Sequence, residues 1–197
     1  MAGLKERYSA VAIGLHWTIA ALILTNIGLA WYFNTLHGTA KIEPLQLHKS
    51  IGITVLILSV ARLGWRLAVP PPPLPGYVLG WERWLAQLVH TGFYVIMLGL
   101  PLTGWATASA SPLIHVFPIT LYHLVPWPAI GPLASLPHDQ MKAAYGTFLN
   151  AHELLGFMTY GLIALHVAGA LKHQFISRDD VVARMIPLLK RRVEAKP

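Results

Sequence analysis

The chain carries ten histidines and no cysteine. Five of the histidines, His16, His48, His90, His152 and His166, fall inside long apolar runs. A titratable side chain in such a run is costly to bury unless it is paired or ligated, and inside a bilayer it marks a functional position by default. A polar contact between helices explains one such histidine, but five in four runs require a shared chemistry. The lack of cysteine removes thiolate zinc, iron–sulfur clusters and thioether-linked haem. With carboxylates scarce in these runs, neutral imidazole is the remaining metal ligand. Imidazole pairs facing each other across a helix bundle point to haem b.

Spacing sorts the ligands. His152 and His166 are 14 residues apart; on one helix that is ~21 Å of rise and within ~40° of the same face. Two stacked sites along one bundle interior follow. Depth then supplies the partners: His48 opens the second run on the side where His152 opens the fourth, and His16 lies two turns into the first run at the depth of His166. The expected pairs are His48 with His152, outer, and His16 with His166, inner. One turn after each stands a small residue, Ala20, Gly52, Gly156 and Ala170, which lets a flat macrocycle approach the helix backbone. His90 has Tyr94 at that position, so His16 is preferred as the inner ligand; His90 is left to bond a propionate or a quinone carbonyl. A zinc site in the His115, His123 and His138 segment is the rival metal reading, but the spacing matches no compact motif.

The elements that must hold these ligands are membrane helices. Of 197 residues, 55% are hydrophobic and only 12% charged, about half the charged fraction of a soluble domain. Four stretches reach the ~20 apolar residues that span a bilayer: 9–33, 45–69, 84–108 and 145–175. Breakers follow each, including Pro70–Pro73 with Pro75 and Gly76, and Ser111 with Pro112. No alternating segments suggest a barrel. The apolar run behind Lys5 and Arg7 is too long for a signal peptide and is read as the first span. The expected fold is an all-α, integral membrane four-helix bundle forming one domain over residues 1–197.

Charge gives the orientation. Lys5, Arg7, Arg62, Arg66, Arg83, Lys172, Arg178, Arg184, Lys190, Arg191, Arg192 and Lys196 fall on one side, against Lys41, Lys49 and Lys142 on the other. Both termini are therefore expected in the cytoplasm. The net charge of +7 is read as topological, with the C-terminal excess available to anionic lipid, and not as a nucleic-acid surface. The connection 109–144 then faces out. It is rich in proline and carries Phe117, Tyr122 and Trp127, so it is expected to lie against the membrane surface.

The sequence resembles the bacterial cytochrome b561 family. The resemblance rests on Leu15-His16-Trp17, Leu47-His48-Lys49, Ala61 to Leu67 (ARLGWRL), Leu100-Pro101-Leu102-Thr103-Gly104, Asn150-Ala151-His152-Glu153, Leu165-His166 with His173, and Met185-Ile186-Pro187. It covers about Arg7 to Pro187, with the outer connection matched least. It implies a di-haem protein of the bacterial inner membrane, with axial ligands at His16, His48, His152 and His166. Among such proteins is a superoxide oxidase, which passes electrons from superoxide at the periplasmic face through two b haems to ubiquinone.

On that resemblance, further residues acquire expected roles. Lys49, Lys41 and Lys142 give the outer mouth a positive potential that draws in a small anion, or are ordinary loop charge. Arg62 is expected to meet a haem propionate at the inner end, with Arg66 further out as a headgroup anchor. His173 lies about 10 Å below His166 on nearly the same face and is a candidate to bond and protonate quinone, with Lys172 and His90 at similar depth. Two other roles fit the same helices. One is a cytochrome b subunit that serves a partner dehydrogenase or hydrogenase. The other is a transporter or scaffold whose histidines bond across helices.

Overall fold

The computed structural model describes residues 7–73, 78–186 and 189. Lys5, Pro75, Gly76, Pro187, Lys190, Arg191, Arg192 and Lys196 lie outside these residues. Four helices are long and apolar enough to cross a membrane. Helix α1 runs Ala10–Asn34 and α2 runs Ile42–Ala68, the latter preceded by a 3-10 turn at Gly38–Lys41. Helix α3 runs Gly80–Ser109; a short α4, Gly131–Ala134, leads to α5, His138–Leu171. A π-helical turn, Lys172–Ser177, prolongs α5.

Local chemistry sets several of these boundaries. The Ser9 hydroxyl accepts from the Ala12 N–H at 3.3 Å and caps α1, replacing one of the donors a helix start leaves unpaired. It also accepts from Trp65 Nε1 at 2.9 Å, which ties the start of α1 to the end of α2. The expected spans 9–33 and 45–69 thus nearly coincide with α1 and α2. Helix α3 begins four residues ahead of Trp84, because the charged Glu82 and Arg83 in its first turn break the apolar run without breaking the helix. Helix α5 begins seven residues ahead of Tyr145 for a similar reason: Asp139, Gln140 and Lys142 interrupt the apolar run while the segment to Ala144 stays helix-forming, and Pro137 stands just before its first turn. The outer connection is correspondingly shorter than expected, 110–137 in place of 109–144.

That connection is an ordered cap. Its strands β1, Thr120–Leu121, and β2, Val125–Pro126, pair antiparallel, a small exception to the expected all-α fold. The three-residue loop between them opens with Tyr122 and His123 at φ 52 and φ 58, a left-handed pair that the Leu124 N–H closes on Leu121 O at 2.9 Å. Helix α2 holds the hairpin. Ser50 Oγ accepts from the Tyr122 N–H at 3.0 Å, Gln46 Nε2 donates to Pro118 O at 3.2 Å, and Thr54 Oγ1 meets Tyr122 Oη at 2.8 Å. Helix α3 holds the rest: Trp105 Nε1 donates to Pro128 O, and the buried Ser109 hydroxyl accepts from the Ile130 N–H. Ala108, Ile114 and Ile119 form a small core beneath, with Trp105 and Trp127 against it.

The main core lies between α1, α2 and α3, around Ile19, Ile51, Val55 and Met97. Helix α5 packs closely on α3, α1 on α2 and α2 on α3, whereas α5 makes no comparable backbone approach to α1 or α2. Among the described residues α1 buries only Ile19, and α5 only Met141 and Thr159. The histidine pairs stand across this wider spacing.

Candidate functional site

At the end of the bundle beneath the cap, His48 of α2 faces His152 of α5 with ring centres 6.2 Å apart and planes at 79°. At the opposite end, the terminal end, where Ser9 and Met185 lie, His16 of α1 faces His166 of α5 at 6.1 Å and 68°. A metal–imidazole bond is about 2 Å long and the ring centre lies roughly 1 Å behind the bonding nitrogen, so two imidazoles on opposite sides of one metal have centres about 6 Å apart. Both pairs therefore have the separation of an axial pair. Among the described residues no group of three or more His, Asp or Glu converges on an ion. The donor set fits a metal whose other positions are filled by a macrocycle. The open surroundings of Gly156, where an added Cβ would meet nothing within 4 Å, suit the flat face of one.

The hydrogen bonds of the cap-end pair fix which nitrogens are left for a metal. His152 Nδ1 lies 2.9 Å from Leu100 O, and His48 Nδ1 lies 3.2 Å from Asn26 O. A carbonyl only accepts, so Nδ1 carries the proton in both rings and Nε2 keeps its lone pair. Leu100 precedes Pro101, which sits inside α3 and has no N–H to give to the helical ladder. The Thr103 hydroxyl bonds back to this stretch, 2.8 Å from Leu100 O and 2.9 Å from Gly99 O, and lies 3.3 Å from His152 Nδ1. Gly104 completes the seat: a Cβ there would stand 2.9 Å from His152 Cε1. Phe33 packs edge-on against His48 at 5.2 Å, and Lys41 Nζ lies 5.3 Å over the Phe33 ring.

The terminal-end pair has a third imidazole beside it. The His90 ring centre lies 5.5 Å from His166, nearer than that of His16, and Phe93 packs on His166 at 5.4 Å. Arg62 donates to Ala12 O at 3.3 Å, one turn before His16. Arg66 lies 5.7 Å from the Tyr94 ring. Trp17, next to His16, donates from Nε1 to Met185 O at 2.9 Å. This bond draws the segment after α5 across the bundle end.

The remaining expected residues are placed as follows. Lys172 pairs with Glu82 of α3, and His173 Nδ1 lies 2.7 Å from Asp179 Oδ2. Lys49 is half-buried beside His48, and Lys142 is exposed on the first turns of α5. His152 does not open its helix, since α5 starts fourteen residues earlier at His138. Its level still matches that of His48. The sequence reading missed Asn26, Phe33, Phe93, Glu82 and Asp179. Asn26 meets His48 through its backbone carbonyl, which any residue type supplies, so no side-chain signal marks it; Thr103 and Gly104 stand in the motifs above without a role.

Comparison with known proteins adds kinship to this geometry. "Probable superoxide oxidase CybB" of Yersinia pestis is 30% identical over 190 residues, covering 93% of this chain and 98% of that protein. Two proteins of Escherichia coli (strain K12) are similar at the same level. "Cytochrome b561 homolog 2" is 30% identical, with 92% of each chain covered, and "Cytochrome b561 homolog 1" is 29% identical, with 94% and 99% covered. The family profile described as "Prokaryotic cytochrome b561" matches residues 7–188. A match over nearly the whole length shows that this chain belongs to the prokaryotic cytochrome b561 family, bacterial membrane proteins whose cofactor is haem b.

Proposed function

We propose that the chain is a di-haem cytochrome of the bacterial inner membrane that takes electrons from superoxide at the cap end and delivers them to ubiquinone at the terminal end. The observation that carries the reading is the pair of facing imidazole sets, 6.2 and 6.1 Å between ring centres, stacked along α5. The superoxide half is supported by the relative from Yersinia pestis that bears that name. The whole chain acts as one four-helix domain, with both termini in the cytoplasm and the cap in the periplasm, as the lysine and arginine distribution supports.

Haem b bound at each pair supplies a one-electron couple buried in low dielectric. His48 and His152 would hold one group and His16 and His166 the other, while the carbonyls of Asn26 and Leu100 keep the first two rings in a single tautomer. Arg62 offers a guanidinium to a propionate beside His16. Lys41 and Lys49, with Lys142 further along the rim, set a positive potential at the cap end that raises the encounter rate of a small anion. At the other end His173 bonds a quinone carbonyl oxygen and gives it a proton. His90 lines the same depth, and Lys172 is held by Glu82.

The test is a haem count per polypeptide on detergent-purified protein, followed by superoxide-driven reduction of a soluble ubiquinone analogue. Two b haems and quinone reduction are expected. Two haems with no response to superoxide would instead support a subunit fed by a partner dehydrogenase or hydrogenase. No haem after expression with ample haem would leave the transporter or scaffold reading.

A further inference from the structure

The chain leaves α5 by an unusual route. Lys172–Ser177 is a π-helical turn, and Arg178 follows at φ 54, in the left-handed region. Both conformations are uncommon, and both are enriched where function holds the backbone in place. Their joint effect is to fold Asp179 back onto His173. The Asp179 N–H donates to His173 O at 3.2 Å, and its Oδ2 lies 2.7 Å from His173 Nδ1. Its Oδ1 accepts from the Val181 N–H at 3.1 Å, which fixes the carboxylate plane. The two side chains are only 17% and 8% exposed. Neighbouring charges are engaged elsewhere, Lys172 with Glu82 and Asp180 with Arg184.

We propose that Asp179 is a positioning residue for proton transfer from His173 to quinone. This rests on the quinone reading above. A carboxylate on Nδ1 accepts that nitrogen's proton, so Nδ1–H stays in place and Nε2 is the nitrogen that exchanges protons. In the full reaction two superoxide anions lose one electron each and leave as two molecules of O₂. Quinone gains those two electrons and two protons and leaves as quinol. His173 supplies both protons in turn: at each transfer its Nε2–H bond breaks as an O–H bond forms on a quinone oxygen. The ring keeps Nδ1–H on Asp179 and takes a new proton at Nε2 from water at the terminal end. Without the carboxylate the ring is free to flip or to change tautomer, and it presents the wrong nitrogen for part of the time.

The experiment uses the whole haem-loaded protein and compares wild type with Asp179→Asn and Asp179→Glu. Three quantities are read: haem per chain, the rate at which superoxide reduces the haems without quinone, and turnover with a soluble ubiquinone analogue. The expected result for Asp179→Asn is unchanged haem content, unchanged haem reduction, and a quinone kcat about tenfold lower at nearly constant KM. Asp179→Glu restores most of the loss. Nitrogen-15 shifts of labelled histidine report Nδ1–H for His173 in the wild type and a tautomer mixture in Asp179→Asn. A wild-type kcat and tautomer in Asp179→Asn overturn the proposal. So does a loss that tracks haem content and is not restored by glutamate, since that is a structural role. If wild-type haems accept electrons from superoxide but no quinone is reduced, the functional reading itself fails, and this is seen before any variant is made.

Discussion

His152 on α5 donates its Nδ1–H to the carbonyl oxygen of Leu100 on α3 at 2.9 Å. The bond joins two closely packed helices and ends one residue before a proline. Backbone therefore supplies the nearer partner of the ring, with the Thr103 hydroxyl at 3.3 Å beside it, and no substitution at position 100 removes the acceptor. What a substitution can disturb is the approach of α3.

Gly104 is the place to test that approach. A Cβ at 104 would meet His152 Cε1 at 2.9 Å and Nδ1 at 3.1 Å, both closer than ordinary contact. The neighbour is a ring held by its own hydrogen bond, so relief requires a shift of α3 or α5 at about 1–3 kcal/mol. Gly104→Ala is expected to lower the haem count from two toward one per chain, leaving the spectrum of the terminal-end haem intact. Two haems with unchanged potentials in this variant would show that the seat tolerates the methyl.

His16 and His90 compete for the place opposite His166. His90 is nearer by ring centre, but His16 has the 6.1 Å separation that two axial imidazoles need. His16→Ala is expected to lose one haem. His90→Ala is expected to keep both and to alter quinone turnover. The reverse pattern, read by pyridine haemochrome per polypeptide, would make His90 the ligand.

Electrostatic capture at the cap end predicts a salt effect. Lys49→Gln is expected to reduce kcat/KM for superoxide roughly two- to fivefold at low ionic strength, with the difference fading as salt rises above about 0.15 M. A loss of equal size at all salt concentrations would instead indicate a direct contact. Quinone KM should not move.

The cap hairpin offers a stability test. His123 sits at φ 58, and its pairing with Glu43 at 3.0 Å is exposed on both sides, 58% and 75%. A left-handed conformation costs a non-glycine residue about 1 kcal/mol, more than such a surface pair typically returns. His123→Gly is expected to raise the stability of the cap by about 0.5 kcal/mol, read as slower proteolysis in the 110–137 segment. Faster cleavage would mean that the Glu43 contact dominates.

Depth along a helix was legible in the sequence because rise per residue is nearly constant. Counting from His152 to His166 therefore found two levels, and the structure brings His48 and His16 to those levels. Rotation and closeness were not legible. Whether Gly104 or Asn26 touches a histidine depends on how two helices are turned toward each other, which no single-helix periodicity encodes. The helix starts at Gly80 and His138 were hidden for another reason: their first turns carry charged side chains, and apolarity measures membrane depth, not helicity. Asp179 was the least visible, since its return to His173 depends on a π turn and a left-handed arginine that propensity does not anticipate.

The sparse burial along α1 and α5 has a consequence for biogenesis. Helix α5 packs on α3, but with Ile19 the only buried residue of α1 and Met141 and Thr159 the only ones of α5 among the described residues, side-chain packing does little to hold α5 against α1 and α2. With the cofactor held between the histidine pairs as proposed, its capture and the docking of α5 against α1 and α2 would be a single coupled event. A cell starved of haem would hold a half-assembled chain in the bilayer, open to membrane proteases, so the abundance of this cytochrome would follow haem supply even at constant synthesis.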